Sequence, residues 1–97
     1  MSYQFEWDAR KARFNIEKHG VSFREAISVF RDPLARIIDD VLHSTEEQRE
    51  IIIGHSEENR LLFVCFTERA QTIRIVSARR ATRKERRDYE ENASPQG

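Results

Sequence analysis

The sequence predicts a single α+β domain: a small antiparallel sheet with two N-terminal helices and one C-terminal helix, in the order β-α-α-β-β-β-β-α. Three observations carry this prediction. Ninety-seven residues are enough for one compact domain and too few for two. Apolar residues recur at helical spacing in the first third of the chain and at strand spacing afterwards. The strand-like stretches follow one another across short polar turns, which favours antiparallel pairing. Residues 1–92 are expected to form the domain and 93–97 a frayed tail.

Each element has its own signal. Tyr3, Phe5 and Trp7 alternate with Gln4 and Glu6, the period of a half-buried strand. Asp8 is an N-cap for a helix to about His19, with Ala9, Ala12 and Ile16 as its expected apolar stripe and Gly20 ending it. Ser22 and Glu25 form a Ser-x-x-Glu capping box. Behind it Phe23, Ala26, Ile27 and Phe30 stand at i, i+3, i+4 and i+7, until Asp32-Pro33 stops the helix. Strands are expected over 35–40, 50–55, 61–66 and 72–79, with turns at 56–59 and 68–71. Leu61 to Phe66 is apolar throughout and reads as the central strand. Thr82 and Glu85 make a second capping box, opening a helix to about Asn92.

Composition excludes several classes of protein. The longest apolar run is the six residues Leu61 to Phe66, against about 20 for a membrane span. The opening stretch MSYQFEWDARK has no apolar h-region, so no secretory leader is expected. A single cysteine, Cys65, cannot build a disulfide framework or a cysteine-ligated zinc site within one chain; the expectation is a cytoplasmic protein. His19, His43 and His55 lack close metal-ligand spacing, and no nucleophile elbow, P-loop or dinucleotide fingerprint is present, so neither metal nor cofactor is expected.

The formal net charge is zero, but its distribution is uneven. Residues 41–68 are net −4, whereas 69–87 hold eight basic groups against Glu85 alone. Fourteen of the seventeen basic residues are arginine, whose planar fork suits phosphate oxygens. This stripe reads either as a polyanion site or as a solvated face crossed by ion pairs. Alternation along the last strand puts Arg74, Val76, Ala78 and Arg80 on one face and Ile73, Ile75, Ser77 and Arg79 on the other. His19 follows Lys18 in a last helical turn, where basic groups satisfy free carbonyls; an imidazole there also suits proton transfer. His43 falls in a polar loop, and His55 ends a strand. Glu85 and Tyr89 are i, i+4 neighbours on the last helix. An enzyme limited to His, Lys, Arg, Glu and Tyr can cut RNA, since the 2′-hydroxyl supplies the nucleophile.

Several stretches together resemble a known family. They are Phe5-Glu6-Trp7-Asp8; Lys11, Asn15 and Lys18-His19-Gly20-Val21-Ser22-Phe23 with Glu25-Ala26; Arg49 and Gly54; Arg60 to Val64; Thr67-Glu68-Arg69; and Arg74 to Thr82 with Glu85, Arg86 and Tyr89. Over about residues 5–90 the chain resembles the BrnT toxins of the wider RelE-like group of bacterial ribonuclease toxins. Arg80 departs from the pattern, standing where many relatives have proline. The resemblance implies a RelE-like fold and a metal-independent endoribonuclease that halts translation. It also implies a BrnA-type antitoxin, similar to ribbon-helix-helix dimers, in a heterotetramer of two toxins and two antitoxins that reaches operator DNA through the antitoxin. With it, His19 and Lys18 are candidates for proton transfer, Arg60, Arg69 and Arg79 for gripping phosphates, and Glu85 and Tyr89 for positioning or proton transfer. Arg49, Arg74, Arg80 and Arg86 are candidate substrate contacts. Trp7 reads either as a base-stacking ring or as core. The alternatives are a non-catalytic RNA- or DNA-binding module and a protein that docks an acidic partner.

Overall fold

The computed structural model describes residues 3–40 and 48–93. Its elements run β1 (Gln4–Glu6), α1 (Ala9–His19), α2 (Phe23–Ser28) with a 3-10 turn at Val29–Arg31, β2 (Arg36–Asp39), β3 (Arg49–His55), β4 (Leu61–Arg69), β5 (Thr72–Arg80) and α3 (Arg83–Ala93). The expected order is the observed one. The sheet has five strands in the order β1-β5-β4-β3-β2, antiparallel except that β1 joins β5 in parallel. The apolar segment β4 is indeed central. It runs three residues past Phe66, because the turn after it is tight, with Ala70 in the left-handed region at φ 56°. The expected tail falls almost wholly outside the described residues.

One face of the sheet carries the core. Ile52, Val64 and Ala78 form one cross-strand row, and Leu62, Phe66, Ile73 and Ile75 join them against Val21, Phe23, Ala26 and Val29 of the helical layer. Each such side chain taken from water contributes about 1.5–3 kcal/mol. The opposite face is the more open one: Ile51 and Cys65 are 7% exposed, while Ser77 and Arg79 reach a surface cleft. Its rows are Ile51-Cys65-Ser77 and Ile53-Phe63-Arg79.

Simple alternation along β5 fails at one point. Cys65 pairs with Ser77 while Phe66 pairs with Ile75, leaving Val76 as an extra residue, a β-bulge. The phase reverses there. Ile73, Ile75 and Ala78 all reach the core, whereas Arg74, Ser77 and Arg79 share the open face. The sequence-based grouping of Ala78 with Arg74, and of Arg79 with Ile75, is therefore corrected.

Two helical expectations also change. Asp8 caps α1 as expected, accepting from the Arg10 and Lys11 amides, and Gly20 ends it at φ 69°. The buried face of α1, however, is polar: Asn15 is 4% exposed, while Ala9, Phe14 and Ile16 face solvent. The Asn15 carboxamide donates to the carbonyls of Ala78 (2.7 Å) and Val21 (2.9 Å), and its oxygen accepts from the Ala78 amide (3.1 Å). β1 pairs with β5 only at residues 72–74. Beyond that point the amide of Asn15 serves the edge of β5 as a missing strand would. The capping box of α2 is only half made. Ser22 Oγ accepts from the Glu25 amide at 3.0 Å, but the Glu25 carboxylate turns away to Arg60 and Ser56.

Candidate functional site

His19 lies one helical turn beyond Asn15 and comes round the sheet edge onto the open face. There it lines a cleft of about 490 Å3 with Arg49, Arg79, Asp40, Ser77 and Cys65, floored by Ile51 and Phe63. Thus α1, β3 and β5 each bring one basic group to the same opening. This is the convergence that a polyanion site requires, and only some of the sequence candidates take part in it.

Arg79 is the best-fixed group. Its two terminal nitrogens donate to the two oxygens of Glu85 at 2.9 Å each, and the guanidinium lies 4.1 Å from the centroid of the Phe63 ring. The hydrogen bonds from Arg79 draw the Glu85 pKa below the ordinary carboxylate value. Glu85 also completes its capping box, since its Oε1 accepts from the Thr82 amide at 2.8 Å and its own amide donates to Thr82 Oγ1. The start of α3 is therefore built around the residue that holds Arg79. Cys65, on the cleft floor, is no nucleophile: burial, then the charge of Asp40, pushes its thiol up to about 11.

The other candidates lie elsewhere. Arg69 and Arg74 line a separate cavity of about 600 Å3 with Lys11 and Glu6, and Arg74 donates to Glu6 at 2.8 Å. Arg60 is bound through Nε (2.9 Å) and a terminal nitrogen to Glu25, whose side chain is 3% exposed, and donates to the Gly20 carbonyl at 3.1 Å. Those bonds from Arg60 outweigh burial and lower the Glu25 pKa. Arg60 thus ties β4 to both helices and does not line the cleft. Lys18 points outward, its Nζ 5.8 Å from the exposed Phe14 ring. Trp7 packs edge-on against Phe23 of the helical layer, with its centroid 6.3 Å away. Arg80 and Arg86 are exposed and line no described cavity. His43 lies outside the described residues.

Tyr89 is buried and donates to Asp32 at 2.9 Å, with the His55 ring 5.3 Å away. Burial and this bond to a carboxylate push its phenol up to about 12. Asp32 also accepts from the His55 amide (2.7 Å) and the Leu34 amide (2.9 Å). Burial raises the Asp32 pKa, but these donors outweigh it, and the net direction is down. Gly54 sits against this hub, where a Cβ would stand 2.8 Å from Ala35 Cβ and 3.0 Å from Asp32 Oδ2. Among the described residues no three His, Cys, Asp or Glu side chains gather as a metal site, and no helix is long and apolar enough to cross a membrane.

Sequence reasoning missed Asn15, Phe63 and Ser77. Asn15 stands among the residues that carry the family resemblance, but its polarity hides it from a search for a buried helical face. Phe63 and Ser77 become visible once strand pairing is known, because they share cross-strand rows with Arg79 and Cys65.

Comparison with known proteins agrees with this architecture. The crystal structure of the Brucella abortus ribonuclease toxin BrnT superposes with a TM-score of 0.65 at 21% identity, covering 84% of this chain and 100% of that one. At that identity the likeness shows the fold. No curated protein matches the chain. A family profile described as the ribonuclease toxin BrnT of type II toxin-antitoxin systems matches residues 7–85. With most of its length inside that match, this chain belongs to the BrnT family of ribonuclease toxins.

Proposed function

We propose that the cleft between His19, Arg49 and Arg79 cuts single-stranded RNA by internal transesterification, without a metal ion. The observation that carries this reading is the meeting of one imidazole and two guanidinium groups in a single opening on the sheet face away from the core. Arg79 and Arg49 hold the non-bridging oxygens of the scissile phosphate and stabilise the charge that grows on the phosphorane. His19 accepts the proton of the 2′-hydroxyl. The 2′-oxygen–phosphorus bond forms, the bond from phosphorus to the 5′-oxygen breaks, and the departing oxygen takes a proton from water. The products are a 2′,3′-cyclic phosphate and a 5′-hydroxyl. Glu85 acts through Arg79, and its bidentate grip presents the guanidinium in one orientation.

Family membership supports the wider setting: a cytoplasmic toxin that halts translation and is neutralised by a BrnA-type ribbon-helix-helix antitoxin in a complex of two copies each, which represses its own operator. The two assignments separate experimentally. Purified chain incubated with end-labelled RNA in EDTA yields fragments with cyclic phosphate and 5′-hydroxyl ends, and His19→Ala slows the cut at least about 100-fold while RNA binding is retained. Fragments carrying 5′-phosphates, or a His19→Ala protein as active as the parent, refute the chemistry. The antitoxin assignment is read from the mass of the co-purified complex.

A further inference from the structure

A second cavity, of about 440 Å3, opens beside the cleft and shares Phe63 with it. Its lining is mixed, and the apolar part comes from Ile38, Ile53, Phe63 and the ring of Tyr89. The polar part comes from Arg36 of β2, from Lys84, Glu85 and Asp88 of α3, and from Thr82 just before it. Three of these polar groups differ from the paired arginines elsewhere. Arg60, Arg74 and Arg79 are each bound to a carboxylate, whereas the side chains of Arg36, Lys84 and Asp88 have no ion-pair or hydrogen-bond partner among the described residues. Lys84 and Asp88 are four residues apart on α3, so a donor and an acceptor stand side by side at the cavity mouth.

We propose that this cavity is a nucleobase subsite that selects guanine next to the scissile phosphate. The proposal deepens the RNA reading above and rests on it. An apolar floor with an aromatic ring takes a flat base removed from stacking. The rim then reads the edge of the base. Guanine alone presents two adjacent donors, N1–H and the N2 amino group, which a carboxylate accepts together, and it places the O6 acceptor beside them for a cation. Asp88 accepts from N1 and N2, and Lys84 donates to O6. Arg36, across the cavity, reaches N7 or the flanking phosphate. Adenine and cytosine each offer one amino group beside a ring acceptor, and uracil offers one donor between two acceptors. None of them matches the carboxylate at both oxygens. Glu85 lines the same cavity but does not compete for this role, because both of its oxygens are held by Arg79.

The test separates base selection from cleavage. Fluorescence anisotropy is measured with labelled 2′-O-methyl oligonucleotides, which lack the nucleophile: oligouridine, and the same oligomer with one guanosine, adenosine or cytidine at the centre. The guanosine oligomer binds the unmodified chain about tenfold more tightly than the others. Asp88→Asn and Lys84→Ala each bring that ratio close to one, and Lys84→Ala also weakens binding of every oligomer, because a cation leaves the RNA face. Both residues lie on the exposed side of α3, and circular dichroism checks the fold of each variant. A ratio near one in the unmodified chain, a preference for another base, or a guanosine preference unchanged in both variants overturns the proposal. Because no cut is required, a chain that prefers guanosine yet fails to cleave RNA in EDTA refutes the chemistry above and leaves the subsite standing.

Discussion

Replacing Asn15 with alanine should cost this domain a large share of its stability. Three hydrogen bonds vanish with the carboxamide, and three backbone groups lose their partner: the N–H and C=O of Ala78 and the C=O of Val21. Both residues are almost inaccessible, at 1% and 0% exposed, so water does not readily take over. An unsatisfied buried group costs about 1–3 kcal/mol. Allowing for partial relaxation, the loss is about 3–5 kcal/mol, out of the 5–15 kcal/mol typical of a native domain. For a chain of this length that lowers Tm by at least about 12 °C. Denaturant unfolding followed by circular dichroism measures it. Asn15→Asp distinguishes lost donors from lost volume. It keeps the acceptor for the Ala78 amide but sets a buried charge against two carbonyls, so it should be worse than alanine at pH 7 and recover in part when protonated. A loss below about 1 kcal/mol for Asn15→Ala would mean that α1 does not complete the edge of β5. His19 follows on the same helix, so cleavage should weaken in variants that remain folded.

Four further outcomes follow from the buried ion pairs and close contacts. Arg60→Ala leaves the inaccessible Glu25 carboxylate without its cation and should cost about 3 kcal/mol in urea unfolding, more than a surface arginine would. Glu25 and Glu85 both have folded pKa values below the ordinary 4.5, so the unfolded chain binds protons first. Their contribution is complete above about pH 4.5 and is lost as pH falls through the folded values; a urea midpoint that does not drop in acid contradicts both pairings. Tyr89 shows the opposite dependence: unfolded it ionises near 10 and folded only near 12, so stability should decline between pH 10 and 12, and Tyr89→Phe should reduce that decline to the part owed to Cys65, whose thiol is raised to about 11. Gly54→Ala drives a methyl into Ala35 and Asp32 and should cost about 1–3 kcal/mol, read as a fall in Tm.

The order of elements was legible because local signals and packing agree. Asp8 and Gly20 bound α1 where the caps predict, and the apolar run of β4 does lie in the middle of the sheet. The face of α1 was not legible, because helical periodicity looks for an apolar stripe. The stripe here is interrupted by an amide that answers to a strand distant in sequence. Charge patterning singled out one segment of the chain but could not rank its arginines. Arg60 and Arg79 look alike in one dimension; only the fold shows that the first is committed to Glu25 and the second, though paired, reaches the cleft. The pairing of β1 with β5 was hidden for the same reason, since a parallel neighbour from the far end of the chain leaves no local trace.

The unpaired Val76 makes this part of the chain sensitive to length rather than to identity. Most substitutions between Ile75 and Arg80 alter one position. Deleting Val76 would close the bulge and leave regular alternation, with Ile75 and Ala78 still on the core face and Ser77 and Arg79 on the other; inserting a residue there would instead reverse the later side chains, sending Arg79 toward the apolar layer and Ala78 into solvent. Related chains should therefore tolerate loss of the bulge residue better than an added one, and a one-residue insertion should lower Tm far more than deletion of Val76 does.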